Sequence, residues 1–108
     1  MISNIFDAIV DHSDAEILDT LFENRNVRIE RIVSTGQHSP EGFWYDQEED
    51  EFVLLLEGEA VLGFEEEELT LHPGDWLMIP ARRRHRILST ASDRPTLWLT
   101  VFVKRDHG

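Results

Sequence analysis

Four arginines, Arg82, Arg83, Arg84 and Arg86, fall within five positions and supply four of the chain's ten basic residues. Guanidinium groups present planar, bidentate donors, so a cluster of this kind suits capture of a carboxylate or phosphate, with Arg82 as a candidate ligand-binding residue. The competing reading is ion pairing with acidic neighbours, above all the run Glu65 to Glu68, which reads as a solvated turn tip. A second constellation is Gly42-Phe43-Trp44-Tyr45. Three adjacent aromatics are either core packing or the wall of a small-molecule site, and Trp44 and Tyr45 are candidates for the latter. His12, His38, His72 and His107 stand in polar stretches and read as surface or loop residues, although His38 leads directly into the aromatic segment. There is no cysteine, hence no disulfide, thiolate zinc site or thiol nucleophile.

Positioning these residues falls to one small domain. The chain has 108 residues and a formal net charge of −12, enough length for a single modest core and an acidic field that disfavours nucleic acid and anionic membrane surfaces. No apolar stretch approaches the roughly 18 residues of a membrane span. The first thirty residues carry Asp7, Asp11, Asp14, Asp19 and Glu23 without a basic stretch followed by an apolar run, so a cytoplasmic protein is expected. Ser13-Asp14-Ala15-Glu16 has the spacing of a capping box, and Ile17, Leu18, Leu21 and Phe22 follow at helical intervals, which predicts one short N-terminal helix ending near Asn24. From Val27 onward short runs of β-branched and aromatic residues alternate with turn residues. Strands are predicted near 27–34, 43–47, 51–57, 59–64, 67–72, 76–79, 85–90 and 96–104, with Glu57-Gly58 closing a hairpin and His72-Pro73-Gly74-Asp75 making a tight turn. The fold class is all-β, an antiparallel sandwich or barrel. Residues 1–26 form the helical segment packed on a barrel of residues 27–108.

The segment Gly74-Asp75-Trp76-Leu77-Met78-Ile79-Pro80-Ala81-Arg82-Arg83-Arg84-His85 resembles the second signature of the cupin superfamily: Gly, five residues, Pro, one residue, Gly, two residues, His. Arg82 replaces the second Gly. Upstream, Glu51 followed by six residues and Gly58 matches the end of the first signature, and fifteen residues separate Gly58 from Gly74, as in compact members. The resemblance implies a double-stranded β-helix, or jelly-roll, barrel. In metal-binding members the first signature supplies a His-x-His pair and a Glu, and the second supplies a further His. Glu51 and His85 match; the His pair is missing. Alternation along a strand puts Tyr45 and Gln47 on the same face as Glu51, so they take the places of the pair in preference to Trp44 and Asp46.

The resemblance therefore implies Glu51 and His85 as candidate catalytic residues, a charge-assisted pair able to hold or move a proton, and Glu51, His85 and Gln47 as candidate metal ligands. An amide and a phenol in place of two imidazoles weaken a transition-metal site, so no tightly bound metal is the expectation, with a divalent transition metal as the alternative. Three functions follow: binding of a small organic, possibly anionic, ligand in the barrel by Tyr45, Gln47, Glu51 and His85; a metal-dependent isomerase or oxygenase; or a non-catalytic dimerising module. Phe52, Leu54 and Leu56 give β-structure around Glu51 a second apolar face, whose cover is the N-terminal helix or another subunit. Family members commonly pair through such faces, which implies a homodimer.

Overall fold

The structure is a computed structural model that describes residues 1–105; His107 lies outside the described residues. Eight strands follow one another: β1 (Ile17–Glu23), β2 (Val27–Ser34), β3 (Glu49–Glu57), β4 (Ala60–Phe64), β5 (Glu68–Leu71), β6 (Trp76–Ile79), β7 (His85–Thr90) and β8 (Thr96–Lys104). They form a five-stranded sheet in the order β1-β2-β8-β3-β6 and a three-stranded sheet in the order β5-β4-β7. All pairings are antiparallel. Val53, Leu55, Ala60, Leu62, Phe64, Leu71, Ile79 and Trp98 fill the space between the two sheets as one buried cluster.

The predicted N-terminal helix does not form. Ile17–Glu23 is instead the edge strand β1, with Ile17 opposite Val33 and Phe22 opposite Ile29 around an irregularity between Thr20 and Phe22. A short isolated helix is marginal on its own, whereas the open edge of β2 offers this segment a ladder of hydrogen bonds. Both members of the supposed capping box are engaged elsewhere: the Ser13 carbonyl accepts from Thr35 Oγ1 and Gln37 Nε2, and Glu16 Oε2 accepts from the Ser34 hydroxyl at 2.6 Å. Within residues 1–26, Ile17–Glu23 is thus part of the larger sheet. No α-helix is present among the described residues, and none is long and apolar enough to cross a membrane.

Two turns place the site. Glu57-Gly58 does not close a hairpin, because β3 and β4 belong to different sheets; it is the corner where the chain crosses between them. Gly58 has φ +88°, and a β-carbon there would fall 2.5 Å from the Thr96 Cα, so both backbone and space require glycine. The turn after β5 forms as predicted, with Asp75 N–H donating to the His72 carbonyl at 2.9 Å and Gly74 at φ +93°. The predicted strand at 43–47 is reduced to a single bridge between Tyr45 and His85, since Pro40, Gly42 and the charged Asp46 and Glu48 interrupt any longer pairing.

Candidate functional site

Alternation on β3 turns Glu51 and Val53 inward, and the cross-strand register continues that row through Phe102 of β8 to Arg28 of β2. His85 opens β7 on the facing sheet. These side chains border a cavity of about 330 Å³ between the sheets, whose wall includes Tyr45, Gln47, Glu51 and His85 together with Glu16, Arg28, Glu30 and Thr100. Ile32, Val53, Leu62, Ile79, Ile87 and Trp98 make much of the rest apolar. Leu18 also borders it and is more than half exposed on the edge strand β1, which marks the open side.

His85 is 5 % exposed, and its Nδ1 lies 3.0 Å from the Arg83 carbonyl. A carbonyl only accepts, so Nδ1 carries the proton and Nε2 is the nitrogen left to face the cavity. Nε2 lies 3.4 Å from Glu51 Oε1. That contact is an ion pair whenever the imidazole is protonated, but it is not an aligned hydrogen bond, so Glu51 Oε1, in a residue 8 % exposed, has no aligned hydrogen-bond partner. Burial works against charge on the imidazole, but the Glu51 carboxylate and the Arg83 carbonyl together hold its pKa above the ordinary value of 6.5. The pair can hold a proton in common.

Tyr45 is positioned through its backbone, which exchanges hydrogen bonds with His85 at 2.7 and 3.1 Å, and its ring stacks on the imidazole at 5.3 Å. Burial, with the nearby Glu16 and Glu51 carboxylates, raises the phenol pKa above 10, so its hydroxyl remains a hydrogen-bond donor. The segment carrying Tyr45 and Gln47 is pinned by the turn before β7. Arg82 N–H donates to the Gln47 carbonyl at 2.7 Å, and the Arg82 guanidinium pairs with Asp46 and Glu48. Asp50 fastens the same turn to β3: it accepts from Ala81 N–H, which with Arg105 holds its pKa below the usual carboxylate value.

Two sequence candidates lie away from the cavity. Arg82 is largely exposed and committed to Asp46 and Glu48, and Trp44 faces outward beneath Arg84 and Arg86. The other arginines follow the ion-pair reading or bind backbone: Arg83 pairs with Glu66 and Glu67, Arg84 with Glu65, and Arg86 donates to the Ser39 and Pro40 carbonyls. His12, His38 and His72 are exposed, as expected from their positions. Arg28, Glu30 and Glu16 border the cavity without having been singled out in the sequence. Arg28 lies over the Phe102 ring at 4.3 Å and is shared between Glu30 at 3.2 Å and Glu49 at 3.3 Å.

The donors present do not fit a tightly held transition metal. One imidazole and one carboxylate converge, Gln47 adds a neutral amide and Tyr45 a phenol that stays protonated, and no group of three His, Asp or Glu side chains suited to a metal gathers among the described residues.

Comparison with known proteins agrees with this fold. The Cupin domain family profile matches residues 31–102, and the chain belongs to the cupin family. It is similar to a crystal structure from Ralstonia eutropha JMP134 named a "putative mannose-6-phosphate isomerase", with 39% identity over 97% of this chain and 99% of that one and a TM-score of 0.94. It also resembles a cupin superfamily protein from Desulfitobacterium hafniense DCB-2, at 23% identity, covering 90% of this chain and 84% of that one with a TM-score of 0.76. An RmlC-like cupin with a double-stranded β-helix fold from Methanocaldococcus jannaschii shares 18% identity over 85% and 83% of the two chains, with a TM-score of 0.70. No curated protein matches.

Proposed function

We propose that this cupin binds a small organic molecule inside its barrel, with Glu51 and His85 meeting the ligand's polar group and Tyr45 and Gln47 flanking it. The observation that carries this reading is Glu51 Oε1, a buried oxygen with no hydrogen-bond partner on the wall of a cavity of about 330 Å³. With the imidazole neutral, leaving such an atom without a donor costs on the order of 1–3 kcal/mol, a cost that a ligand's donor removes. The volume is at the lower end of small-molecule sites, which run from roughly 300 to 1,000 Å³. A barrel serving only as a dimerising module would have this space filled by side chains.

The Ralstonia relative's name raises the question of a sugar phosphate. A phosphate needs committed cationic donors, and Arg28 on the cavity wall is already shared by Glu30 and Glu49. The arginine cluster that suggested an anion lies outside the cavity. A metal-dependent reaction meets the shortage of imidazoles described above. The small-molecule reading stands ahead of both, and the cytoplasm is the compartment that goes with it.

The test is a fragment screen followed by amide chemical shifts. Fragments that perturb Glu51, His85 and Val53 in the wild type and lose that effect when Ile87→Trp fills the cavity support the reading. A screen in which every fragment leaves these amides unmoved overturns it.

A further inference from the structure

We infer that the ligand is a small organic cation, an apolar body carrying a protonated amine seated with its N–H toward Glu51. The inference rests on the small-molecule reading above and adds the sign of the charge. Three carboxylates, Glu16, Glu30 and Glu51, border the cavity. Acidic side chains gather on many protein surfaces without binding anything; here one of them is 8 % exposed and presents an oxygen that no aligned hydrogen bond reaches, with His85 Nε2 3.4 Å away. A polar group so placed asks for a donor from the occupant.

The cations nearby are already engaged. Arg28 is split between Glu30 and Glu49 over the Phe102 ring. His85 commits Nδ1 to the Arg83 carbonyl, and its Nε2 reaches Glu51 only at 3.4 Å. Gln47, Tyr45 and Thr100 are neutral. The four arginines on the His85 segment are paired or bound to backbone outside the cavity, so they do not offset the carboxylates inside it. In a site partly shielded from water this excess of carboxylate acts more strongly than at the surface, and it favours a cation over an isosteric alcohol and an alcohol over an anion. Ile32, Val53, Leu62, Ile79 and Trp98 give the non-polar part of the molecule its wall.

Three probes of one shape separate charge from shape: cyclohexylmethylamine, cyclohexylmethanol and cyclohexanecarboxylate, each titrated calorimetrically into the full chain at neutral pH. The amine is expected to bind about tenfold or more tighter than the alcohol, with the carboxylate weakest. Glu51→Gln should bring the amine to the level of the alcohol while changing the alcohol by less than about threefold. Glu30→Gln, which releases Arg28 from one partner, should weaken the amine and strengthen the carboxylate. The wild-type comparison needs no variant, so a Glu51→Gln protein that fails to fold leaves the test intact. An alcohol or carboxylate that binds as tightly as the amine overturns the charge inference and leaves the binding reading standing. Silence from all three, together with a silent fragment screen, overturns both.

Discussion

His85 and Glu51 face each other from opposite sheets with Nε2 and Oε1 3.4 Å apart, while His85 Nδ1 is held 3.0 Å from the Arg83 carbonyl. With Nδ1 protonated, a neutral ring turns a lone pair toward a carboxylate oxygen. The arrangement is favourable only when a second proton, or a donor from elsewhere, lies between them.

The pH dependence of stability follows with a definite sign. An imidazole whose folded pKa is raised above 6.5 contributes stability that is fully present below 6.5 and is lost as pH rises through the folded value. In Glu51→Gln the burial of the ring dominates and its pKa falls. The His85 Cε1 proton should therefore titrate above 6.5 in the wild type and below it in Glu51→Gln. The stability advantage of the wild type over the variant, measured by urea unfolding, should shrink between mildly acidic and mildly alkaline pH. An advantage that grows over that range would show that the shared proton does not stabilise the pair.

Arg82 stands where the family signature has glycine, and its φ is +68°. Holding a side chain in the left-handed region costs roughly 1–2 kcal/mol. Exposed ion pairs with Asp46 and Glu48 return only about 0–1 kcal/mol. Arg82→Gly relieves the strain but loses those pairs and loosens the unfolded chain, so its stability should stay within about 1 kcal/mol of wild type. Arg82→Val keeps the strain, adds branching at Cβ and loses the pairs, and should cost about 1–2 kcal/mol. Thermal unfolding of the two variants checks the order, and a valine variant as stable as the glycine one contradicts it.

The same position shows how far the sequence reached. Seven of the eight strands were legible from Val27 onward because β-branched runs and turn residues mark them sharply, and the Glu51 and His85 spacings picked out two side chains that the fold brings together on the cavity wall. β1 was hidden because Ile17, Leu18, Leu21 and Phe22 satisfy a helical period, and the open edge of β2 that decides the matter is a tertiary feature. Arg28 and Glu30 were hidden for a different reason. On β2 the inward residues include Arg28, Glu30 and Ile32 while Val27, Ile29, Arg31 and Val33 share the other face, so charged and apolar side chains occur on both faces and the usual alternation is missing. Trp44 and Arg82, candidates from an aromatic run and an arginine cluster, lie off the cavity because their side chains are taken up by Arg84 and Arg86 and by Asp46 and Glu48, partners brought close only by the fold.

Restoring the missing histidines tests which register the first signature has. Tyr45 and Gln47 border the cavity beside Glu51 and His85, whereas Trp44 and Asp46 face outward to arginines. Tyr45→His with Gln47→His should complete a three-imidazole, one-carboxylate set. Competition titration with Ni(II) or Zn(II) should then show metal affinity about 100-fold or more above wild type, abolished by adding Glu51→Gln. Trp44→His with Asp46→His should give no such gain. Equal gains in the two double variants would mean that the new histidines bind metal independently of Glu51 and His85.

The outer face of the larger sheet carries an exposed apolar row. Phe52 and Trp76 lie 5.5 Å apart there, Met78 is the register partner of Phe52, and Ile29 and Val101 continue the same row across β8 to β2. Trp76 is 64% exposed and Met78 49%, an unusual cost for residues of this size. The N-terminal residues reach this face at Arg31, which donates to the Ile5 and Asp7 carbonyls, and leave the Phe52, Trp76 and Met78 region open. Two chains of charge −12 repel, so they can approach closely only where charge is scarce, and this row of the sheet supplies such a surface. We therefore propose a homodimer joined through it. Light scattering after size exclusion should give twice the monomer mass of 12.6 kDa, and added salt, by screening the repulsion, should strengthen the association. Phe52→Glu with Met78→Glu should yield a folded monomer whose cavity still takes the same fragments. A wild type that is monomeric at every salt concentration, or a double variant that remains dimeric, would place the contact elsewhere or remove it.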